Sequence, residues 1–382
     1  MSRVIWLTML LAVHGLTGCA DNADKVVANG DDFPIQISSE YHDVTLEKVA
    51  GGLEEPWALA FLPGGGYLVT ERPGGLLLLQ QGERTRISGV PDVVARNQGG
   101  LLDLVLHPDY QDNGWLYFTW SMGDEQATST VLSRARLKDQ RLVDHELLFE
   151  QDRRSEPGRH YGSRIVFLED GSLLMSIGDR GAEPGRAQDL DDHAGKLIRL
   201  AEDGSVPDDN PLLDVSMAQP EIWSWGHRNI QGMVVDPGNG AVWVTEHGPR
   251  GGDELNLIEA GNNYGWPEVG KGRDYRTEEI FGEARSREGT IDPVYEFLPT
   301  LAPSGLALLT TERFSAWQGN LIAGGLRGEG VRRVVLEDGV VVHVEALLRD
   351  ELGRIRDVRE GPDGHLYLLT DGSDGGLYRL TP

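Results

Sequence analysis

The segment Gly226 to Pro267, GHRNIQGMVVDPGNGAVWVTEHGPRGGDELNLIEAGNNYGWP, holds the densest collection of groups able to do chemistry in this chain. It contains a His-Arg-Asn cluster, a short apolar strand and a Gly-Pro-Arg-Gly-Gly-Asp-Glu turn. Glycine and proline let backbone carbonyls crowd inside such a turn, and Asp253 and Glu254 add hard anionic oxygens. Oxygen donors in flexible geometry suit Ca²⁺. Arg228 and Asn229 lie one strand earlier, where they can meet an anionic, oxygen-rich ligand bound to that ion.

A second constellation joins His160 to Asp179. A hairpin of two strands of about eight residues each returns its end to its beginning, which places Asp179 beside His160. A carboxylate there fixes the imidazole tautomer and frees the other ring nitrogen to take a proton. Arg354 and Arg356 share one side of a strand by its two-residue period; either an anionic ligand or a nearby Asp could hold them. His107 in His-Pro-Asp-Tyr and the Asp-Gly pairs at Asp170, Asp338 and Asp363 read as turn residues.

These residues need a scaffold, and a sixfold repeat supplies one. Each copy is an alternating apolar strand, a Pro-Gly or Asp-Gly turn, a second strand, a glycine-rich loop and a third strand. The copies begin near Trp57, Leu101, Ser163, Gly232, Ser304 and Ile355. Tight hairpin turns need φ > 0, hence their glycines. One small sheet cannot bury both faces alone, whereas radial stacking of several sheets can. The expectation is an all-β, six-bladed β-propeller over residues 41–382, with Val44–Ala50 completing the last blade. Segments such as Val143–His160 and Lys271–Phe297 are expected as loops on one face, where functional groups collect. Gln98, His160, Asp179, Arg228, Asn229, Thr300, Arg327, Arg354 and Arg356 all fall at strand ends, so one mouth of the central channel can gather them.

The N-terminus follows a different logic. Arg3 precedes an apolar run from Val4 to Val13, too short to span a bilayer, that ends in Leu-Thr-Gly-Cys at Cys19, the one cysteine in the chain. This ending resembles a bacterial lipobox. Residues 1–18 read as a lipoprotein signal peptide, Cys19 as the lipidation site and 19–40 as a polar, flexible tether. The resulting location is the periplasm, lipid-anchored at the outer membrane, with no other membrane contact. With 35 basic and 61 acidic residues the net charge is −26, which disfavours nucleic-acid binding. Any anionic cofactor must therefore find a local basic patch. P-loop, HExxH, GxSxG and dinucleotide motifs are all missing from the sequence.

The segments NQGGLLDLVLHPDY, HYGSRIVFLEDGSLLMSIGDRG, GHRNIQG, TEHGPRGGDELNLI, NNYGWP, LPTLAPSG and GRIRDVREGPDG resemble, in order, those of the soluble PQQ-dependent glucose/sorbosone dehydrogenases, particularly the aldose sugar dehydrogenases. The resemblance runs from about Pro56 to Leu380. It implies oxidation of an aldose at C1 to an aldonolactone, with hydride passing to PQQ and electrons leaving to an external acceptor. By the same resemblance His160 is the general base, Asp179 orients it, and Arg228 stabilises negative charge on the quinone. Ca²⁺ would rest on the carbonyls of Gly248 and Pro249, with Asp253 and Tyr264 nearby. Gln98 and Asn229 would contact substrate or cofactor, while Thr300, Arg327, Arg354 and Arg356 would hold the PQQ carboxylates.

Three positions depart from the family's glucose dehydrogenases, which place Lys at Arg327, Gln at His247 and Trp at Leu298. Loss of an aromatic wall at Leu298 implies broad aldose use. Long dimerisation insertions are not evident, which implies a monomer. Two other readings remain at this point: a calcium-dependent lactonase-type propeller, and a non-catalytic lipoprotein that binds sugar or protein.

Overall fold

The computed structural model describes residues 33–156 and 158–382. The strands build six antiparallel sheets, five of four strands and one of five. Their innermost strands, Pro56–Phe61, Leu101–Leu106, Ile165–Phe167, Ile230–Val235, Pro303–Leu308 and Ile355–Glu360, touch in succession around a closed circle. This is the expected six-bladed propeller.

The packing follows from the two-residue period of a strand. In strand Leu366–Thr370, Leu366 and Leu368 face the fifth blade with Ala307 and Ile322. Tyr367 and Leu369 face the first blade with Leu59 and Val69. Strand Val242–Glu246 repeats the rule, sending Val242 and Val244 to blade three and Trp243 to blade five. Each of the six apolar clusters thus fills one gap between successive blades, so middle strands are apolar throughout. A fully buried leucine contributes about 2 kcal/mol, and every blade carries several.

The turns behave as their sequences dictate. Asp338 and Gly339 both have positive φ, 50° and 77°, as a two-residue type I′ hairpin turn requires. Asp170 Oδ1 accepts the Ser172 N–H at 2.9 Å, fixing its own hairpin. His107 is a turn residue, its Nδ1 accepting the Asp109 N–H at 3.0 Å.

The ring is closed by strand Asp43–Leu53, which pairs with the C-terminal strand Gly375–Thr381 in the register Leu46 to Leu380. One further strand was not expected. Ile35–Ser38 pairs along Asp43–Leu53, because Ile35 and Ile37 are apolar at alternate positions and pack against the core. A strand therefore occupies part of the segment expected to be tether. The signal peptide and Cys19 lie outside the described residues. The segment expected as a loop from Val143 is also partly strand: Arg141–Glu150 forms the outer edge of blade two, its polar residues lying at a half-exposed rim. Lys271–Phe297 is irregular up to the short strand Tyr295–Phe297.

Midway along the channel a buried ion group separates the two mouths. Arg164 Nη1 lies 3.2 Å from Asp103 and 2.9 Å from Asp357, and Arg359 reaches the same two carboxylates at 2.7 and 3.0 Å. Blades two, three and six are tied together by it. Arg164 also donates to the Gln231 carbonyl at 2.6 Å, so the plug supports the floor of the site described next.

Candidate active site

At one mouth the chain runs through unusual backbone. Asn97, His160, Ser163, Arg180 and Ala302 all have φ between 48° and 89°. Residues other than glycine held there cost on the order of 1–3 kcal/mol each, and such strain collects where function fixes the geometry. The strain at His160 is held by specific bonds. Its N–H donates to Gln98 Oε1 at 2.7 Å, and the Gly162 N–H donates to Asn229 Oδ1 at 3.1 Å. A Cβ at Gly178 would strike the His160 carbonyl, so only glycine fits where the hairpin returns.

His160 Nδ1 stands 2.5 Å from Asp179 Oδ1. The same oxygen accepts the Gly181 N–H at 2.8 Å, and Oδ2 accepts from Trp266 Nε1 at 2.8 Å. Burial holds the His160 pKa below its ordinary value, aided by the charges of Arg228 and Arg159 and opposed by Asp179. Burial acts on Asp179 the other way, but the His160 hydrogen bond, with Arg228 and the Trp266 donor, overcomes it and keeps the carboxyl ionised. A neutral imidazole that gives Nδ1–H to a carboxylate has a free lone pair on Nε2. That is the state a general base requires.

Arg228 extends from the strand end before Ile230–Val235. Its Nη1 donates to the His247 carbonyl at 3.1 Å, and its guanidinium lies 5.3 Å from the Trp266 ring centre. His247 itself is neutral. Burial and the Arg228 charge push its pKa down to about 3, and Nε2–H donates to the Pro303 carbonyl at 2.5 Å.

Beside these residues lies a cavity of about 310 Å³, walled by Trp57, Arg72, Gln98, Asn229, Gln231, His247, Arg354, Arg356 and Asp371, among others. Arg354 and Arg356 meet at Asp371: Arg354 Nε donates to Oδ2 at 2.8 Å, and Arg356 Nη2 to Oδ1 at 2.8 Å. The two arginines do point together, and the nearby Asp named as the alternative partner is present. Burial would raise the Asp371 pKa, but the two guanidiniums lower it. Arg356 also reaches Gln231 Oε1 at 3.3 Å.

Two expected carboxylate holders stand outside this wall. Arg327 is exposed on the loop after strand Leu321–Gly325, where its neighbour Leu326 lines the cavity instead. Thr300 Oγ1 faces Gly251 in the glycine-rich turn. Loops of irregular backbone set both directions, and period-two reasoning does not reach them.

Arg72, Trp57, Gln231 and Asp371 were missed. A signal existed for Asp371, which ends the second strand of copy six as Glu246 ends that of copy four. Arg72 is held by Glu55 and by the Asn97 and Gly99 carbonyls, partners that no local pattern reveals.

The Gly248–Asp253 turn crowds carbonyl oxygens as expected. A Cβ on Gly248 would collide with the carbonyls of Gly251 and Gly252, and one on Gly272 with those of Pro249 and Gly251. Among the described residues no group of three His, Cys, Asp or Glu side chains is placed to hold a metal. A cation here would rest mainly on carbonyls, a donor set that fits calcium.

The expected helpers also hold protein partners. Asp253 braces the turn, taking N–H bonds from Gly248 at 3.0 Å, Leu301 at 2.9 Å and Ala302 at 2.8 Å. The Tyr264 hydroxyl donates to Leu257 O and accepts from Glu259 N, both at 2.8 Å. Its phenol oxygen thus already holds two protein partners, and the residue borders the same small void as Gly248 and Pro249.

A family model described as glucose/sorbosone dehydrogenase matches residues 53–379. The aldose sugar dehydrogenase YliI of Escherichia coli is 42% identical over 348 residues, 89% of this chain and 93% of that protein. The solved apo-form of the soluble aldose sugar dehydrogenase from E. coli superposes with a TM-score of 0.85 at 40% identity, covering 89% of this chain and 99% of that one. The PQQ-bound aldose sugar dehydrogenase of Streptomyces coelicolor superposes at 0.74 with 29% identity, covering 90% and 99%. With the match running from the closing strand of the ring almost to the C-terminus, this chain belongs to the glucose/sorbosone dehydrogenase family.

Proposed function

We propose that the protein oxidises aldose sugars at C1 to aldonolactones, using PQQ and Ca²⁺. The observation that carries this reading is the His160–Asp179 pair, 2.5 Å apart, set beside a cavity walled by Arg72, Arg354 and Arg356. Three guanidiniums against the Glu55 and Asp371 carboxylates leave that wall net positive, the local patch a chain of net charge −26 needs to hold a tricarboxylate. Trp57 offers a flat face, and Gln98, Asn229 and Gln231 offer amide groups. The fit is chemical as well as spatial, since Arg forks match carboxylates. A relative whose structure is PQQ-bound supports the cofactor, and the turn's carbonyls support the ion.

When bound, PQQ supplies a two-electron acceptor and Ca²⁺ draws electron density from it as a Lewis acid. His160 Nε2 takes the proton from the C1 hydroxyl as the C1–H pair leaves as hydride, so the C1–O bond becomes the lactone carbonyl. Asp179 holds the resulting imidazolium. Arg228, pinned by the His247 carbonyl, fixes positive charge on the acceptor side. Leu298 is 70% exposed, in keeping with the loss of an aromatic wall there and with use of several aldoses. Electrons then pass to an external acceptor. The lipobox-like ending at Cys19, followed by Ala20 rather than Asp, supports a periplasmic protein anchored at the outer membrane; the lack of long dimerisation insertions supports a monomer.

Reconstitution with PQQ and Ca²⁺, followed by dye-linked oxidation of a panel of aldoses, tests the reading. Turnover that requires both additions supports it. Absence of any aldose turnover, with no PQQ absorbance change on mixing, removes it.

A further inference from the structure

We propose that Trp266 is a positioning residue for the His160–Asp179 pair, and that the segment 267–297 sets its position through Phe281. The inference rests on the function proposed above and extends it to a loop far from the reacting atoms.

A carboxylate held at one oxygen can still swing about its own axis. Asp179 Oδ1 serves His160 Nδ1 and Gly181 N. Among the described residues, Oδ2 takes one hydrogen bond, from Trp266 Nε1 at 2.8 Å. That second anchor fixes the plane of the carboxylate and so the line along which His160 is held. Trp266 is 87 residues away in sequence and 6% exposed, and its placement is over-determined. Its N–H donates to the Gly226 carbonyl at 2.9 Å, and its carbonyl accepts from Gln188 Nε2 at 2.7 Å. One ring contact is with Arg228, the cation beside His160.

The other ring contact is with Phe281, stacked at 4.5 Å and 15°. Phe281 is half-buried at the end of a run, 275–280, in which every residue is exposed. Its N–H is tied to the Gly272 carbonyl at 3.0 Å, and Gly272 packs on the turn carbonyls. A loop whose tip is in water therefore has one aromatic contact with the residue that aims the catalytic carboxylate. Around His160 the charged neighbours are Asp179, Arg228 and Arg159. Loss of the Trp266 donor leaves more of the Asp179 charge for the imidazolium, which raises the pH at which His160 protonates, while the freed carboxylate swings off the His160 line and slows the transfer itself.

The test uses the PQQ- and Ca²⁺-loaded protein with D-glucose and a dye acceptor. Trp266→Phe keeps an aromatic ring and removes the N–H with the five-membered half of the indole. The expected result is a fall in kcat of about 10- to 100-fold, the range for a hydrogen bond to a charged group. KM and PQQ loading should stay unchanged, and the acidic limb of kcat/KM should move to higher pH. Phe281→Ala should show a smaller loss of the same kind, and this loss should vanish when added to Trp266→Phe, because it acts through the same N–H. A Trp266→Phe protein with kcat within twofold and an unmoved limb overturns the proposal. So does a loss confined to PQQ loading, or a Phe281→Ala loss undiminished in the Trp266→Phe background. Should His160→Ala itself retain full kcat, the underlying reaction is the part that fails.

Discussion

Replacing Asp179 with Asn keeps the shape of the side chain while removing its charge and turning one of its two acceptor oxygens into an NH2 donor, which makes it a sharp probe of the site. When His160 takes a proton, the new positive charge forms beside the Asp179 carboxylate at a contact of 2.5 Å, with charge centres about 4 Å apart. Both side chains are nearly out of solvent, 7% and 1% exposed, so water screens the pair weakly. At an effective dielectric near 20, the attraction is about 4 kcal/mol. It is absent before proton transfer and present after it, so its loss raises the barrier by much of that amount. At 1.36 kcal/mol per decade, kcat should fall about 10³-fold. With its oxygen turned to His160 and Gly181 the Asn amide still accepts there, more weakly than a carboxylate, but its NH2 then faces the Trp266 N–H, donor against donor. The assay is dye reduction at saturating aldose by protein whose PQQ content is measured by absorbance. A loss below tenfold at full loading would refute the electrostatic account, and so would a loss that follows cofactor content alone.

The remaining expectations concern protonation, cofactor, ion and core. Because burial places the His160 pKa below its ordinary value near 6.5, the base is present at neutral pH. The kcat/KM of wild type should fall only as acid drives pH through that lowered value; a limb above 6.5 would contradict it. Arg356→Met removes a charge-assisted contact worth about 1.5–3 kcal/mol, so titration should show PQQ affinity reduced about 10- to 100-fold while the fold persists by circular dichroism. Chelation with EGTA should abolish dye reduction, and added Ca²⁺ should restore it; activity indifferent to chelator would leave the glycine-rich turn without an ion. Leu368→Ala, at the gap between blades five and six, should lower denaturant stability by about 2–5 kcal/mol.

Much of this was legible from residues whose signals are local. Asp-Gly and Pro-Gly turns marked the hairpins, and alternation marked their buried strands, so the blade number followed from counting. His160 and Asp179 could be paired because one hairpin carries both. Other features carried no local mark. The outer strand Arg141–Glu150 is polar and half-exposed, so its alternation is faint. Trp266 and Asp179 meet only because blades three and four adjoin. Ile35–Ser38 hid in a polar stretch because four residues give too few alternations. Asp253 reads as a metal ligand because acid beside glycine suits calcium, and the sequence does not reveal that three backbone N–H groups also bond to it. Sequence shows which oxygens are present, and the fold decides which amides share them.

The pairing of strand Asp43–Leu53 with Gly375–Thr381 has a consequence for biosynthesis. Glu47 and Arg379, joined across it, are 332 residues apart, so closure is among the longest-range events in the chain and must come last. Arg354, Arg356 and Asp371 belong to that same final blade. A nascent or clipped chain therefore lacks both its seal and two of the three arginines in the wall that would grip the cofactor. Cofactor capture should thus favour a finished ring, while an unfinished molecule exposes an unpaired strand edge.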